Sequence, residues 1–319
     1  MIVTLTANPS LDRTATLAGP LVRGGVNRIV SVGVEAGGKG VNVARVVTLA
    51  GEEALAVLPA RPDDPLLAAL DTLRVTYRAV AVPALVRTNL AVTEPDGTTT
   101  KINEPGTELG SEELAALARR VLTASDEDGW VVLSGSLPPG VPASWYAELV
   151  VQVRAAGARV AVDTSDAPLR ALAAAFPRSA PDLLKPNSEE LAQLTGTDPA
   201  ALEASAAAGD LGPSVGAARG LLDAGVGAVL ATLGAAGALL VTADGAWSAA
   251  PPPIVPRSTV GAGDSALAGY LLAATSGADA PGRLRHAVAY GSAATSLPGT
   301  SLPRPDQLDV DRVRVQHVD

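Results

Sequence analysis

Short apolar runs alternate with helical stretches along most of this chain, and that alternation restricts the fold more than any single motif. Strands are expected at residues 2–6, 54–58, 75–80, 130–134, 159–163, 183–184 and 228–232. Helical spacing covers 41–50, 65–73, 112–122, 142–155, 167–175, 189–194 and 215–223. A continuously apolar strand is buried on both faces, and parallel neighbours need a helical crossover between them. The pattern predicts an α/β fold with a mostly parallel sheet flanked by helices, and ligands bound beyond the carboxyl ends of its strands. With one Phe and 3% aromatics, the interior must be built from small and branched aliphatics.

Two segments break the rhythm. Residues 27–35 and 85–103 are extended and β-branched, and the second holds a Pro95-Asp96-Gly97 turn of hairpin type. Having no helix beside them, they read as a small sheet standing off the main body, a lid. The chain is therefore expected to be a single domain, 1–319, with a discontinuous β-lid from about 10–35 and 85–104. A late hairpin is expected at 239–242 and 246–249. Residues 195–213 read as a loose surface connection and 309–319 as a solvated edge or terminal turn.

The strand ends and the lid carry the chemistry. Ser258-Thr259-Val260-Gly261-Ala262-Gly263-Asp264 sets tight-backbone residues and a carboxylate where an apolar helix should begin. Glycines let consecutive N–H groups converge, and a helix start adds partial positive charge, so the segment suits a transferring phosphoryl group. Asp264 beside such a nest is either a general base for an attacking hydroxyl or part of an ordinary helix cap. Gly37-Gly38-Lys39-Gly40-Val41-Asn42 opens the first helix and brings Lys39 and Asn42 to its start. Gly33 through Lys39 also spells the front of a P-loop, but Gly40 stands where that motif needs Ser or Thr.

Asp12, in Asn8-Pro9-Ser10-Leu11-Asp12, belongs either to an Asx-capped turn or to a site accepting two sugar hydroxyls. Arg87 is a solvated strand residue or a fork for a phosphate. In Lys185-Pro186-Asn187-Ser188-Glu189-Glu190, Asn187 and Glu190 form a capping box or organise magnesium-bound water around nucleotide phosphates. Thr232-Leu233-Gly234-Ala235-Ala236-Gly237 is a plain turn or a place where phosphates approach the backbone.

Other classes are disfavoured. The net charge of −9, without a run of five like charges, argues against nucleic acid and anionic membranes. There is no cysteine, and His286 and His317 are too few and too isolated for a histidine metal cluster. No apolar run approaches the ~20 residues of a membrane span, so a soluble cytoplasmic chain is expected.

Taken together, the chain resembles the ribokinase-like (PfkB) carbohydrate kinases over nearly its whole length. The resemblance rests on residues 36–44, on Ser258 to Tyr270 and on Lys185-Pro186-Asn187-Ser188-Glu189-Glu190. Its nearest branch is 1-phosphofructokinase with tagatose-6-phosphate kinase. That rests on Asn8 to Asp12, Arg23-Gly24-Gly25-Val26-Asn27, Thr88 between Arg87 and Asn89, and Ser134-Gly135-Ser136-Leu137-Pro138.

The resemblance implies a Rossmann-like core, a β-lid that clasps a homodimer, ATP as donor and Mg2+ as cofactor. It makes Asp264 the base and Gly261, Ala262 and Gly263 the anion hole. Asp12, Asn27, Gly38, Lys39, Asn42, Arg87, Asn89 and Ser136 would bind the sugar phosphate, with Lys39 and Arg87 on its phosphate. Lys185, Asn187, Thr232, Gly234 and Gly237 would line the nucleotide, and Glu190 would act on the metal through water. The implied reaction is ATP-dependent phosphorylation of a ketohexose monophosphate, fructose 1-phosphate to fructose 1,6-bisphosphate. Tagatose 6-phosphate and fructose 6-phosphate are the alternative acceptors, and a non-catalytic sugar-phosphate or nucleotide sensor is a rival that the intact 261–264 segment disfavours. One departure stands out: Leu58-Pro59-Ala60-Arg61-Pro62-Asp63-Asp64 occupies the place of a glycine-containing G-x-x-G-x-D segment, which leaves that loop's role open.

Overall fold

A computed structural model describes residues 1–318. The chain begins with β1 (Ile2–Leu5), β2 (Ser10–Leu17), β3 (Ile29–Gly37), α1 (Lys39–Leu49), β4 (Ala54–Ala60), α2 (Pro65–Thr72) and β5 (Thr76–Ala81). There follow β6 (Arg87–Thr93), β7 (Thr99–Asn103), α3 (Ser111–Ala124), β8 (Trp130–Ser134), α4 (Trp145–Ala155), β9 (Arg159–Asp163) and α5 (Asp166–Ala174). Then come β10 (Leu183–Leu184), α6 (Ser188–Thr195), α7 (Pro199–Ala207), α8 (Gly212–Asp223) and β11 (Ala228–Thr232). The last elements are β12 (Ala238–Thr242), β13 (Gly245–Ala250), α9 (Ala262–Thr275), α10 (Ala280–Ser296) and β14 (Arg314–Val318).

Among the described residues, ten strands form one sheet in the order β14-β13-β12-β11-β10-β9-β8-β1-β4-β5. From β11 to β5 all neighbours are parallel, and β12 to β14 extend the sheet antiparallel. Successive strand residues feed opposite layers. Val3, Leu5, Leu55, Val57, Val131 and Leu133 pack with α3, α4 and α5, whereas Ile2, Ala56, Leu58 and Val132 pack with α1, α2, α9 and α10. Both layers are apolar, so the strands read as unbroken apolar runs. From the central β1 the chain crosses to β4 and β5 on one side, and then to β8 and its successors on the other. The order therefore reverses between β1 and β8, and a crevice opens there beyond the carboxyl ends of the strands.

Helices α9 and α10 approach closely because each offers a glycine. A Cβ on Gly269 would meet the His286 carbonyl oxygen at 2.6 Å and Tyr290 at 2.7 Å; one on Gly291 would lie 3.3 Å from the Ala262 carbonyl oxygen.

The second sheet has the order β3-β2-β6-β7. Register places Ser10 beside Arg87 and Asp12 beside Asn89, with Glu35 and Gly37 on the same face. The opposite face carries Val32, Val34 and Ile102, all about half exposed. Asp64 secures the connection into this sheet: its Oδ1 caps α2 at Leu66 N–H (2.9 Å) and its Oδ2 accepts from Val86 N–H (2.8 Å). The atypical 58–64 loop thus ends in a buried clamp for the small sheet.

Two expectations change and a third narrows. The loose connection at 195–213 contains α7, because Asp198 caps an alanine-rich run with Pro199 at its first position. Helix α10 had no counterpart in the sequence reading, since Gly282, Gly291 and interspersed Arg and His interrupt its apolar spacing. Of the two readings of 309–319, the solvated edge holds and the terminal turn does not: β14 is a mostly exposed edge strand paired antiparallel with β13; Asp319 lies outside the described residues. No helix among the described residues is long and apolar enough to cross a membrane.

Candidate active site

Asp264 is the third residue of α9. Gly261, at φ +75°, turns the chain into the helix, and the first-turn amides have no carbonyl within it to bond. The Asp264 side chain is buried, and Asn42 Nδ2 of α1 donates to its Oδ2 at 2.9 Å. The parallel crossover places α1 against α9, so residues 222 positions apart in sequence meet across the crevice.

A buried charge cluster lies beside this pair. Lys39 Nζ donates to Asp163 Oδ1 at 2.6 Å, and Lys185 Nζ stands 3.2 Å from Asp163 Oδ2. The Lys185 contact is an ion pair without hydrogen-bond alignment. A Cβ on Gly263 would come within 3.3 Å of Lys185 Nζ, so the glycine leaves the ammonium close to the helix start. Burial, followed by the Asp163 carboxylate, pushes Asp264 up to about 6, against the opposing pull of Lys39, Asn42 and Lys185. Burial alone would raise Asp163, but Lys185 and Lys39 hold it below the usual carboxylate range. Burial likewise pulls Lys39 down, yet Asp163, Asp264 and Glu190 carry it above the ordinary lysine value. The cluster therefore keeps the Lys39 ammonium charged next to a carboxyl poised to exchange its proton near neutral pH.

A second group of polar side chains comes from β2, β6 and the strand-end loops. Asp12 Oδ1 accepts from Ser10 Oγ (2.8 Å) and Asn89 Nδ2 (3.0 Å). Gly37 has no side chain because a Cβ there would run into the Asp12 carboxylate. Gly38, at φ +106°, makes the turn into α1. Arg87 is half-buried on the same face, with Nη1 donating to the Glu104 carbonyl at 3.1 Å. Ser136 Oγ accepts from Asn8 Nδ2 at 3.3 Å.

A third group begins where β10 ends. Asn187 Oδ1 accepts from Glu190 N–H (2.8 Å) and Glu190 Oε2 accepts from Asn187 N–H (2.9 Å), a complete capping box. Glu190 keeps its other oxygen for a further contact, and burial raises its carboxyl above the ordinary value. Asn187 is bridged to Thr232. After Thr232, Gly234 and Gly237 adopt φ of +58° and +96°, and a Cβ on Gly237 would strike the Ala249 carbonyl. A cavity of about 470 Å³ adjoins, lined by Ser165, Asp166, Asn187, Glu190 and Gln193.

Two placements differ from the sequence reading. Asn27 clasps its own loop through Val22 and Gly25, beyond the end of β2 that pairs with Ile29. That end lies roughly 17 Å along the strand from Asp12, so Asn27 does not join the Asp12 group within its own chain. Lys39 sits with Asp163, Asp264 and Lys185, whereas Arg87 stands on β6 of the small sheet. The sequence reading missed Asp163, whose signal was an acidic residue closing a buried central strand, and Arg45, whose signal was a charge set among the apolar residues of α1.

With this geometry in view, comparison with known proteins is informative. The sequence profile of the pfkB family carbohydrate kinases matches residues 6–307. The chain is 38% identical to 1-phosphofructokinase of Rhodobacter capsulatus, over 96% of this chain and 94% of that protein. It is 39% identical to 1-phosphofructokinase of Xanthomonas campestris pv. campestris, over 85% of this chain and 83% of that one. Its fold matches phosphofructokinase-2 from Escherichia coli in complex with fructose-6-phosphate at a TM-score of 0.84 and 30% identity, covering 96% of each chain. The profile spans nearly the whole sequence and so do these relatives: the chain belongs to the PfkB family of carbohydrate kinases.

Proposed function

We propose that this phosphotransferase uses magnesium-ATP to convert fructose 1-phosphate to fructose 1,6-bisphosphate, as one kinase domain whose four-stranded sheet is the lid. The observation that carries the reading is the buried Asp264, held by Asn42 at the start of α9, with two lysines paired to Asp163 beside it. The two 1-phosphofructokinases, 38% and 39% identical, favour fructose 1-phosphate as the acceptor.

In this mechanism Asp12, steadied by Ser10 and Asn89, accepts hydrogen bonds from the sugar hydroxyls, and Arg87 grips the phosphate already present. Asn42 and Ser136 complete the acceptor wall. Asp264 takes the proton from the attacking hydroxyl as its oxygen reaches the γ-phosphorus. The amides of Gly261, Ala262 and Gly263, with Lys39 and Lys185, face the charge that develops on the transferring group. Asn187, Thr232, Gly234 and Gly237 shape the nucleotide side.

Magnesium fits as a companion of ATP. Among the described residues, no group of three or more His, Cys, Asp or Glu is arranged to hold a metal by itself. An ion arriving with the nucleotide needs only one or two carboxylates through water, and Glu190 has an oxygen to spare beside the cavity. When bound, the ion would neutralise phosphate charge.

The exposed Val32, Val34 and Ile102 leave one lid face without a partner inside the chain. That supports a homodimer joined lid to lid.

An ADP-coupled assay with magnesium-ATP against fructose 1-phosphate, fructose 6-phosphate, tagatose 6-phosphate, fructose and ribose tests the assignment. The highest kcat/KM is expected with fructose 1-phosphate; activity on ribose alone would overturn the role given to Arg87. Fructose 6-phosphate is the second reading, favoured by the fold match to the Escherichia coli enzyme bound to that sugar.

A further inference from the structure

We infer that Arg45 is a positioning residue: it fixes the side-chain amide of Asn42 in one orientation and, through Glu35, ties the aim of Asp264 to the seating of the lid. The inference rests on the reading of Asp264 as the base. Arg45 lies one turn beyond Asn42 on α1 and is buried. Its Nη1 donates to the Ala36 carbonyl (2.8 Å) and to Asn42 Oδ1 (3.3 Å), and its Nη2 to Glu35 Oε2 (2.9 Å).

A guanidinium has donors and no acceptor, so the Asn42 atom facing it must be the oxygen. Nδ2 is then left for Asp264, where it donates at 2.9 Å. A flipped amide would set donor against donor at Arg45 and oxygen against oxygen at Asp264. The same guanidinium reaches the lid, because Glu35 and Ala36 belong to β3, and Glu35 pairs in register with Asp12. One side chain therefore connects the strand beside the sugar-binding carboxylate to the residue that holds the base.

The other groups facing Asp264 are Asp163 from β9, Lys39 from α1 and Lys185 from the β10–α6 turn, with Glu190 acting on Lys39 from α6. None of these touches Arg45 through a hydrogen bond, so they stay constant when it is replaced. Losing a hydrogen bond to a carboxylate favours its protonated form.

The test is a kinetic series on the full-length protein: Arg45→Met, Arg45→Lys, Glu35→Ala, Glu35→Gln and, alongside them, Asp264→Asn. Arg45→Met is expected to lower kcat at least tenfold with little change in KM for ATP. It should also move the acid limb of kcat/KM upward by about one pH unit. Arg45→Lys offers a point charge that serves Asn42 or Glu35 but not both, and should recover part of the loss. Glu35→Ala should keep the acid limb and raise KM for the sugar phosphate several-fold. Glu35→Gln, which retains an acceptor oxygen, should reverse that rise. An unmoved acid limb in both Arg45 variants refutes the inference, whether or not their melting temperatures fall. If Asp264→Asn keeps its turnover, the base assignment fails on its own account. If Asp264→Asn is inactive while Arg45→Met behaves as wild type, only the role of Arg45 is lost.

Discussion

Replacing Asp264 with Asn should make the protein more stable while removing its turnover. The carboxyl stands at about 6 against an ordinary 3.8, chiefly because it is buried. The folded chain thus holds this proton more tightly than the unfolded chain. Its contribution to stability is complete below the unfolded value and is lost as pH rises through about 6. Each pH unit is worth about 1.4 kcal/mol, so at pH 8 the ionised carboxylate costs roughly 3 kcal/mol relative to an uncharged group of the same size. At pH 5 the same linkage leaves about half of that difference. An unfolding entropy of about 2 cal/mol/K per residue converts the pH 8 gain into a rise of about 4 °C in Tm. Scanning calorimetry of both proteins at pH 8 and pH 5 is the assay, with kcat expected to fall by about 10²–10⁴. A mutant that melts at or below the wild type at pH 8, or a gap that does not narrow at pH 5, would refute the electrostatic account of this site.

Other outcomes follow from the same geometry. In the wild type, kcat/KM should climb with pH through a midpoint near 6, since only the deprotonated Asp264 accepts a proton; a profile flat between pH 5 and 7 contradicts this. Asp163→Asn strands the ammonium groups of Lys39 and Lys185 and should destabilise the fold by about 3–5 kcal/mol in urea titration. Gly237→Ala forces a methyl into the Ala249 carbonyl at positive φ, so KM for ATP should rise far more than KM for the sugar phosphate. Val32→Asp should convert the proposed homodimer to a monomer in size-exclusion chromatography with light scattering.

Much of the sheet was legible because burial on both faces leaves continuous apolar runs, and β8, β9, β10 and β11 begin and end where those runs do. The glycine-marked site segments were legible for a related reason: Gly237, Gly261 and Gly38 take backbone angles or spaces that other residues resist. What escaped depends on long-range contact. Asp163 is one acidic residue until β9 sets it between lysines 124 positions before it and 22 after it. Arg45 looks like a charge misplaced on an apolar helix until Glu35 and Asn42 surround it. Helix α10 breaks its own apolar spacing in part with Gly291, which is needed because Ala262 and Ala266 of α9 lie against it.

The glycine contact between α9 and α10 has a bearing on how variation in this enzyme should be interpreted. Gly269 sits more than a turn along the helix from Asp264 and faces α10, and it sets how deeply α9 can nestle. Adding a single methyl there would lever the whole rod outward and swing its tip, carrying the proposed base Asp264 off target. Substitutions at that remote joint should consequently masquerade as defects in chemistry, lowering turnover before they noticeably weaken either substrate's grip.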